Sequence, residues 1–141
     1  MCLINLVSEC FADENNLDGT LPSELASLSN LISLDFDSNP QLGGTLPSEL
    51  GGLRLLTSLD IDNGTFRGTL PEALYLLTAL ESLDINLNQF TGGISSSIGL
   101  LTNLKVLQLD SNGFAGKVPP ELMQLKNLSE SIALLISCYL G

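Results

Sequence analysis

The chain contains no histidine and no tryptophan, and its 5 Lys and Arg residues stand against 16 Asp and Glu. Without histidine it lacks the commonest general base near neutral pH and the usual zinc and copper ligand, which removes most enzyme classes. Without tryptophan it lacks the best ring for stacking on a sugar. A net charge of -11 takes away the basic footprint that a phosphate backbone attracts, so nucleic acid is not an expected partner. The three cysteines, Cys2, Cys10 and Cys138, show no Cys-x-x-Cys spacing, and an odd count cannot pair completely within one chain. They leave the redox compartment open. No signal peptide is readable in MCLINLVSECF, which has no Lys or Arg before its short apolar run and no small-x-small cleavage site. The apolar stretch from Ile132 to Leu140 is about half the ~17–25 residues that cross a bilayer, so no membrane insertion by this chain is expected. On these grounds the chain reads as soluble, or as a piece of something longer.

Hydrophobic residues make up 44% of the 141, enough to bury the core of one domain. Their arrangement is periodic. The string Gly-Thr-Leu-Pro occurs at Gly19, Gly44 and Gly68, and the Asn slots that precede it fall at Asn15, Asn39, Gly64, Asn88 and Asn112, spaced 24, 25, 24 and 24 residues apart. Apolar residues precede each slot by eleven, eight, five and three positions, as in Leu101, Leu104, Leu107 and Leu109, or Leu53, Leu56, Leu59 and Ile61. The first unit is weaker, with Ile4, Val7, Cys10 and Ala12. No single unit can bury its own leucines, so the units must stack as coils of a solenoid. The apolar-x-apolar pair before each slot has strand periodicity, which predicts a parallel sheet of successive coils about 4.8 Å apart. The Pro that follows, ahead of Ser-Glu-Leu or Glu-Ala-Leu, suits the first turn of a short helix, of α or 3₁₀ type.

These units resemble the plant-type leucine-rich repeat, LxxLxxLxLxxNxLxGxIPxxLGxLxx. LTNLKVLQLDSNGFAGKVPPELMQL, from Leu101, meets that pattern nearly throughout, with Phe114 in a Leu slot. The resemblance implies an α/β solenoid with a parallel sheet on its concave face, a second short strand near the Gly-x-Leu-Pro segment and 3₁₀ turns on the convex side. It also implies an extracellular or cell-surface recognition module, such as a receptor-like ectodomain or an inhibitor of cell-wall enzymes. The paired cysteines that cap both ends of such proteins are missing here. Residues 1–128 are read as about five coils and 129–141 as a non-repeat apolar tail, since continuing the register would put Ser131 and Ala133 in leucine slots.

An inward Asn in each slot is expected to bond backbone groups of its own and the neighbouring coil. Gly64 should interrupt that ladder, and Pro40-Gln41 adds one residue after Asn39. Strand alternation sends the residues between and just after the core leucines onto the concave face. Nine carboxylates fall in these positions and no Lys or Arg does, which places -9 of the net -11 on one surface. Asp35, Asp60 and Asp84 form one column. Asp13, Asp37, Asp62 and Asp110 form the next, interrupted by Asn86. Like charges about 5 Å apart repel by roughly 1 kcal/mol even in water, so the columns oppose stability.

The candidate ligand-binding set is Asp35, Asp37, Ser58, Asp60, Asp62, Ser82, Asp84, Asn86, Gln108 and Asp110. Its expected ligand is a basic protein or peptide, or a glycan. Three other readings attach to the same residues: a solvated face without ligand, a site for calcium or another hard cation, and a surface-binding solenoid facing ice or mineral. For the last, Ser33, Ser58 and Ser82 make a short column, but a Thr-rich lattice is lacking. Asp60 and Asp62, about 7 Å apart by strand rise, match the spacing of an inverting glycosidase. An open sheet without enclosing loops speaks against that chemistry, and neither a catalytic residue nor a cofactor is assigned. Two sequons, Asn63-Gly64-Thr65 and Asn127-Leu128-Ser129, are glycosylation candidates, the first at the concave edge and the second on the far side.

Overall fold

The computed structural model describes residues 7–129. Ile4, Cys2, Cys138 and the apolar tail lie outside that range. Within it, the repeat produces two parallel sheets of five strands each. The concave sheet runs β1 (Glu9–Phe11), β3 (Ser33–Asp35), β5 (Ser58–Asp60), β7 (Ser82–Asp84) and β9 (Val106–Gln108), in that spatial order. The second consists of β2 (Asp18–Thr20), β4 (Gln41–Gly44), β6 (Thr65–Gly68), β8 (Gln89–Gly92) and β10 (Gly113–Phe114). Five-residue 3₁₀ turns close each coil: Ser23–Ser27, Ser48–Gly52, Glu72–Leu76, Ser96–Leu100 and Pro120–Gln124. The fold is thus the solenoid that the repeat implies.

One local detail differs. The residue pattern predicts proline inside the first helical turn, but Pro22, Pro47, Pro71 and Pro119 sit one residue earlier, as extended caps with φ between -63° and -73°. That φ is the one the pyrrolidine ring imposes. Only in the last coil does a second proline, Pro120, enter the turn itself. Ser95 replaces proline in the fourth coil and accepts a bond from the Ser97 amide at 3.2 Å.

The leucine slots fill a continuous core. Leu34, Leu59, Leu83 and Leu107 pair in register along the concave sheet and are all buried. Behind the second sheet, Phe66, Phe90 and Phe114 stack with centroid separations of 6.3 and 6.1 Å and rings within 6° of parallel. The end coils are less closed: Val7 is exposed, and Cys10, Phe114, Val118 and Leu128 are only partly buried.

Asparagines bind coil to coil. The Asn88 amide donates to Ile85 O and Asn86 O in its own coil and to Ile61 O in the preceding one, while its Oδ1 accepts from Phe66 N at 2.9 Å. Asn39 and Asn112 repeat the pattern, accepting from Leu17 N and Phe90 N. Asn15, in the first coil, reaches only Ala12 O and Asp13 O among the described residues and is exposed.

Gly64 breaks the ladder as expected, and the structure shows how the break is tolerated. The amide that an Asn at position 64 would serve belongs to the second coil. There the extra residue lets Leu42 N bond Asn39 O at 2.9 Å instead. The vacated space has closed around the glycine, because a Cβ added at Gly64 would meet Asn88 Oδ1 at 3.0 Å and Leu42 O at 3.1 Å.

Two stability outcomes follow from this packing. Leu83→Ala opens a cavity between stacked coils and should cost ~2–5 kcal/mol in chemical denaturation; a loss below ~1 kcal/mol would mean that the coil register is wrong. Asn88→Ala strands the buried Phe66 N–H and should cost about 1–3 kcal/mol for that group alone, whereas Asn15→Ala, at an exposed site, should stay within about 0.5 kcal/mol.

Candidate functional site

The parallel register turns single residues into columns. Ser33, Ser58 and Ser82 lie side by side, ending at Glu9 and Val106. Asp35, Asp60 and Asp84 form the next column, between Phe11 and Gln108. Just past the strand ends come Asp37, Asp62 and Asn86. Each Asp at a strand end also anchors the backbone that follows it. Its Oδ1 accepts the amide two residues on, with Asp37 N at 3.2 Å from Asp35, Asp62 N at 3.3 Å from Asp60 and Asn86 N at 3.1 Å from Asp84. These bonds hold the turn out of the strand. The turn then passes through a left-handed residue in every coil, namely Glu14, Ser38, Asn63, Leu87 and Ser111, with φ between 48° and 54°. Leu87 is the costly member, since a bulky side chain disfavours that region.

Stacking crowds the carboxylates. One oxygen from each of Asp35, Asp37 and Asp60 lies within 4.8 Å of the others, and the same holds for Asp60, Asp62 and Asp84. The ~7 Å expected between Asp60 and Asp62 requires both to sit on the strand. In fact β5 ends at Asp60, and Asp62 lies in the turn beyond it. Buried oxygens of Asp37, Asp62 and Asn86 have no hydrogen-bond partner among the described residues. Burial pushes the Asp60 carboxyl up to about 7, with Asp84 and Asp35 adding repulsion against the lowering pull of the Asp62 amide. Asp84 is raised to about 6, chiefly by burial. Asp37 is raised as well, by burial and then by Asp35, Asp62, Asp13 and Glu14.

Asp84 departs from the expectation of an exposed face. Only 8% of it is accessible, because Gln108 in the next coil lies over it and donates Nε2–H to Oδ2. Asp35, Asp37, Asp60, Asp62, Asn86, Gln108 and Asp110 are half-buried, as are Ser58 and Ser82. Three apolar residues border this set and fall outside it: Phe11, 60% exposed at the head of the Asp35 column, Leu87 at 51%, and Val106 at the end of the Ser column. Their slots are legible in the repeat, but the chemistry of a slot is not fixed by its position. Among the described residues the only ion pair, Lys105 to Glu81 at 2.6 Å, joins exposed side chains outside the acidic columns. Chemically, the concave surface offers carboxyl groups at strand spacing with no ion-pair partner among the described residues, suited to cationic groups or to a hard cation.

Comparison with known proteins places the chain. The family model for the Leucine Rich Repeat matches residues 79–101 and 103–125. Among solved structures, a TDR receptor is 38% identical over 87% of this chain with a TM-score of 0.83. The ectodomain of the plant membrane receptor kinase GASSHO1/SCHENGEN3 from Arabidopsis thaliana, in complex with CASPARIAN STRIP INTEGRITY FACTOR 2, is 34% identical over 89% with a TM-score of 0.87. The Arabidopsis receptor kinase HAESA, in complex with the peptide hormone IDA and the co-receptor SERK1, is 34% identical over 88% with a TM-score of 0.84. No curated protein sequence matches the chain. The chain carries leucine-rich repeats and is similar along most of its length to the ectodomains of plant receptor kinases. It spans 21%, 15% and 21% of the lengths of those three structures. No helix among the described residues is long and apolar enough to cross a membrane.

The raised carboxyls give the stability a direction with pH. A folded-state value above the unfolded one means that the native state holds the proton more tightly, so stability is greatest below about 4 and falls as pH rises through about 6 to 7. The melting temperature should therefore drop between pH 4 and 8, and Asp60→Asn should flatten the drop. A parent whose melting temperature climbs over that interval would contradict the placement of Asp60 and Asp84.

Proposed function

We propose that this chain is a non-catalytic, receptor-like recognition module, presented outside the cell, whose concave face binds a basic protein or peptide. The observation that carries the reading is the one-signed concave surface: acidic columns run through adjacent coils at strand spacing, and no lysine or arginine interrupts them. The proposed binding-face residues are Asp35, Asp37, Ser58, Asp60, Asp62, Ser82, Asp84, Asn86, Gln108 and Asp110. Two of the similar ectodomains were solved with a partner, one of them a peptide hormone, which supports a peptide-sized ligand here. The open sheet, with no loop among the described residues folded over the carboxylates, favours binding over catalysis.

Within the set the roles divide. The half-buried Asp35, Asp37, Asp60 and Asp62 are the proposed cation contacts, whereas the covered Asp84 acts through its charge and by holding Gln108. Phe11 supplies an apolar, cation-compatible ring at one end of the column. Because Asp60 and Asp84 lose their protons only near pH 6 to 7, attraction for a basic partner grows as pH rises toward 8.

The test replaces Asp60, Asp62 and Asp84 together with Asn, which keeps shape and the Oδ1 acceptors while removing three charges. A lysine-rich peptide should bind the parent with an on-rate that falls as salt shortens the Debye length below ~10 Å, and should bind the triple variant several-fold more weakly. The variant should also melt higher at pH 8, because repulsion is relieved. Calcium that raises the melting temperature of the parent alone would point to a hard-cation site instead. A variant that neither gains stability nor loses affinity would leave the face as solvated surface.

A further inference from the structure

Of the five left-handed positions that end the concave strands, coil three alone carries an asparagine, and there the next residue is the glycine that breaks the inward ladder. The result is a sequon, Asn63-Gly64-Thr65, at the lip of the concave face. We infer that Asn63 is the acceptor of an N-linked glycan, and that this glycan screens the lip beside Asp62.

Four observations on Asn63 and its neighbour Gly64 support this. Asn63 is exposed, and its side chain makes no hydrogen bond among the described residues; only its backbone amide is tied, to Asn86 O at 3.2 Å. Its φ of 48° belongs to the region that asparagine tolerates best among residues with a side chain, so the side chain is directed by the turn and not by packing. Every other slot that follows a left-handed residue holds an Asn, in three coils engaged with the neighbouring coil and in Asn15 with its own backbone, whereas Gly64 has no side chain to compete for space. Asn63 is exposed, so a hydrated substituent on its amide extends into solvent.

The second sequon differs. Asn127 follows the 3₁₀ turn Pro120–Gln124, and although it is exposed its amide donates to Thr102 O at 3.0 Å, repeating the bond from Asn103 to Thr78 O at 2.9 Å one coil earlier. That amide serves coil stacking. The third residue does not separate the two sequons: the Ser129 N–H donates to Lys105 O at 2.9 Å, and in the first sequon Thr65 Oγ1 donates to Leu42 O at 3.0 Å.

A glycan on Asn63 has a consequence for recognition that rests on the proposed binding face. Asn63 follows Asp62 directly, on the side where the strands turn away. A partner would then approach from the opposite side, over the column of Ser33, Ser58 and Ser82.

The acceptor claim is tested by secreting the full chain behind a leader peptide from a eukaryotic cell and measuring its intact mass before and after enzymatic release of N-glycans. The parent should carry a glycan mapped to Asn63. Asn63→Asp, which keeps the tolerance for positive φ, and Asn63→Gln, which keeps the charge, should each lose one glycan's mass while remaining folded by circular dichroism. Asn127→Gln should leave the glycan at Asn63 in place. A secreted parent with unmodified Asn63, or one glycosylated at Asn127 alone, overturns the inference. This outcome is independent of peptide binding, so it cannot be confused with failure of the concave face to bind a basic partner.

Discussion

The inward asparagine amide, shared between one coil and the one before it, is the interaction on which the rest of the solenoid depends. Where the chain leaves each concave strand it exposes carbonyls and an N–H that no sheet takes up, and left unpaired inside the stack each would cost about 1–3 kcal/mol. An asparagine side chain offers two donors and one acceptor at the end of a short arm. In Asn39, Asn88 and Asn112 those donors meet carbonyls of two coils and the acceptor meets an amide. One side chain thus fixes both the turn and the distance to its neighbour. Gly64 shows that the requirement is on the backbone group and not on the asparagine: once Leu42 N finds Asn39 O, the side chain can be dispensed with.

The same stacking creates the concave chemistry and its tension. Coils held in register bring like residues side by side, which is favourable for leucine and phenylalanine and unfavourable for aspartate. Asp35, Asp60 and Asp84 remain because each caps a turn through its Oδ1, and the cost is moderated by protons held at Asp60 and Asp84 to about pH 7 and 6. No comparable local bond accounts for the carboxylates of Asp37 and Asp62, whose buried oxygens have no partner among the described residues. A surface that keeps charge against its own stability is where recognition is expected.

Much of this is legible in the residue pattern. The leucine slots, the asparagine ladder with its gap at position 64 and the in-register acid columns all depend on period, and period survives in one dimension. Contacts between side chains of different coils do not. Nothing in the spacing says that Gln108 covers Asp84, that three phenylalanines stack ring on ring, or that the residue inserted after Asn39 rescues the amide left by Gly64. Strand rise likewise fails for the distance between Asp60 and Asp62, because β5 ends at the first of them. Proline sits one position earlier than the pattern predicts for a similar reason: the repeat gives its place in the coil, while its fixed φ decides whether it caps the 3₁₀ turn or enters it.

The bridging role of the asparagines is measured most directly by amide hydrogen exchange. Phe66 N–H and Phe90 N–H donate to Asn88 and Asn112, whereas Ile61 N–H and Ile85 N–H donate to strand carbonyls of the following coil. If the side-chain bridges hold the stack together, Phe66 and Phe90 exchange only on global unfolding, as slowly as Ile61 and Ile85. Rapid exchange at Phe66 and Phe90 beside protected Ile61 and Ile85 would show that the strands alone hold the coils and that the asparagines are passengers.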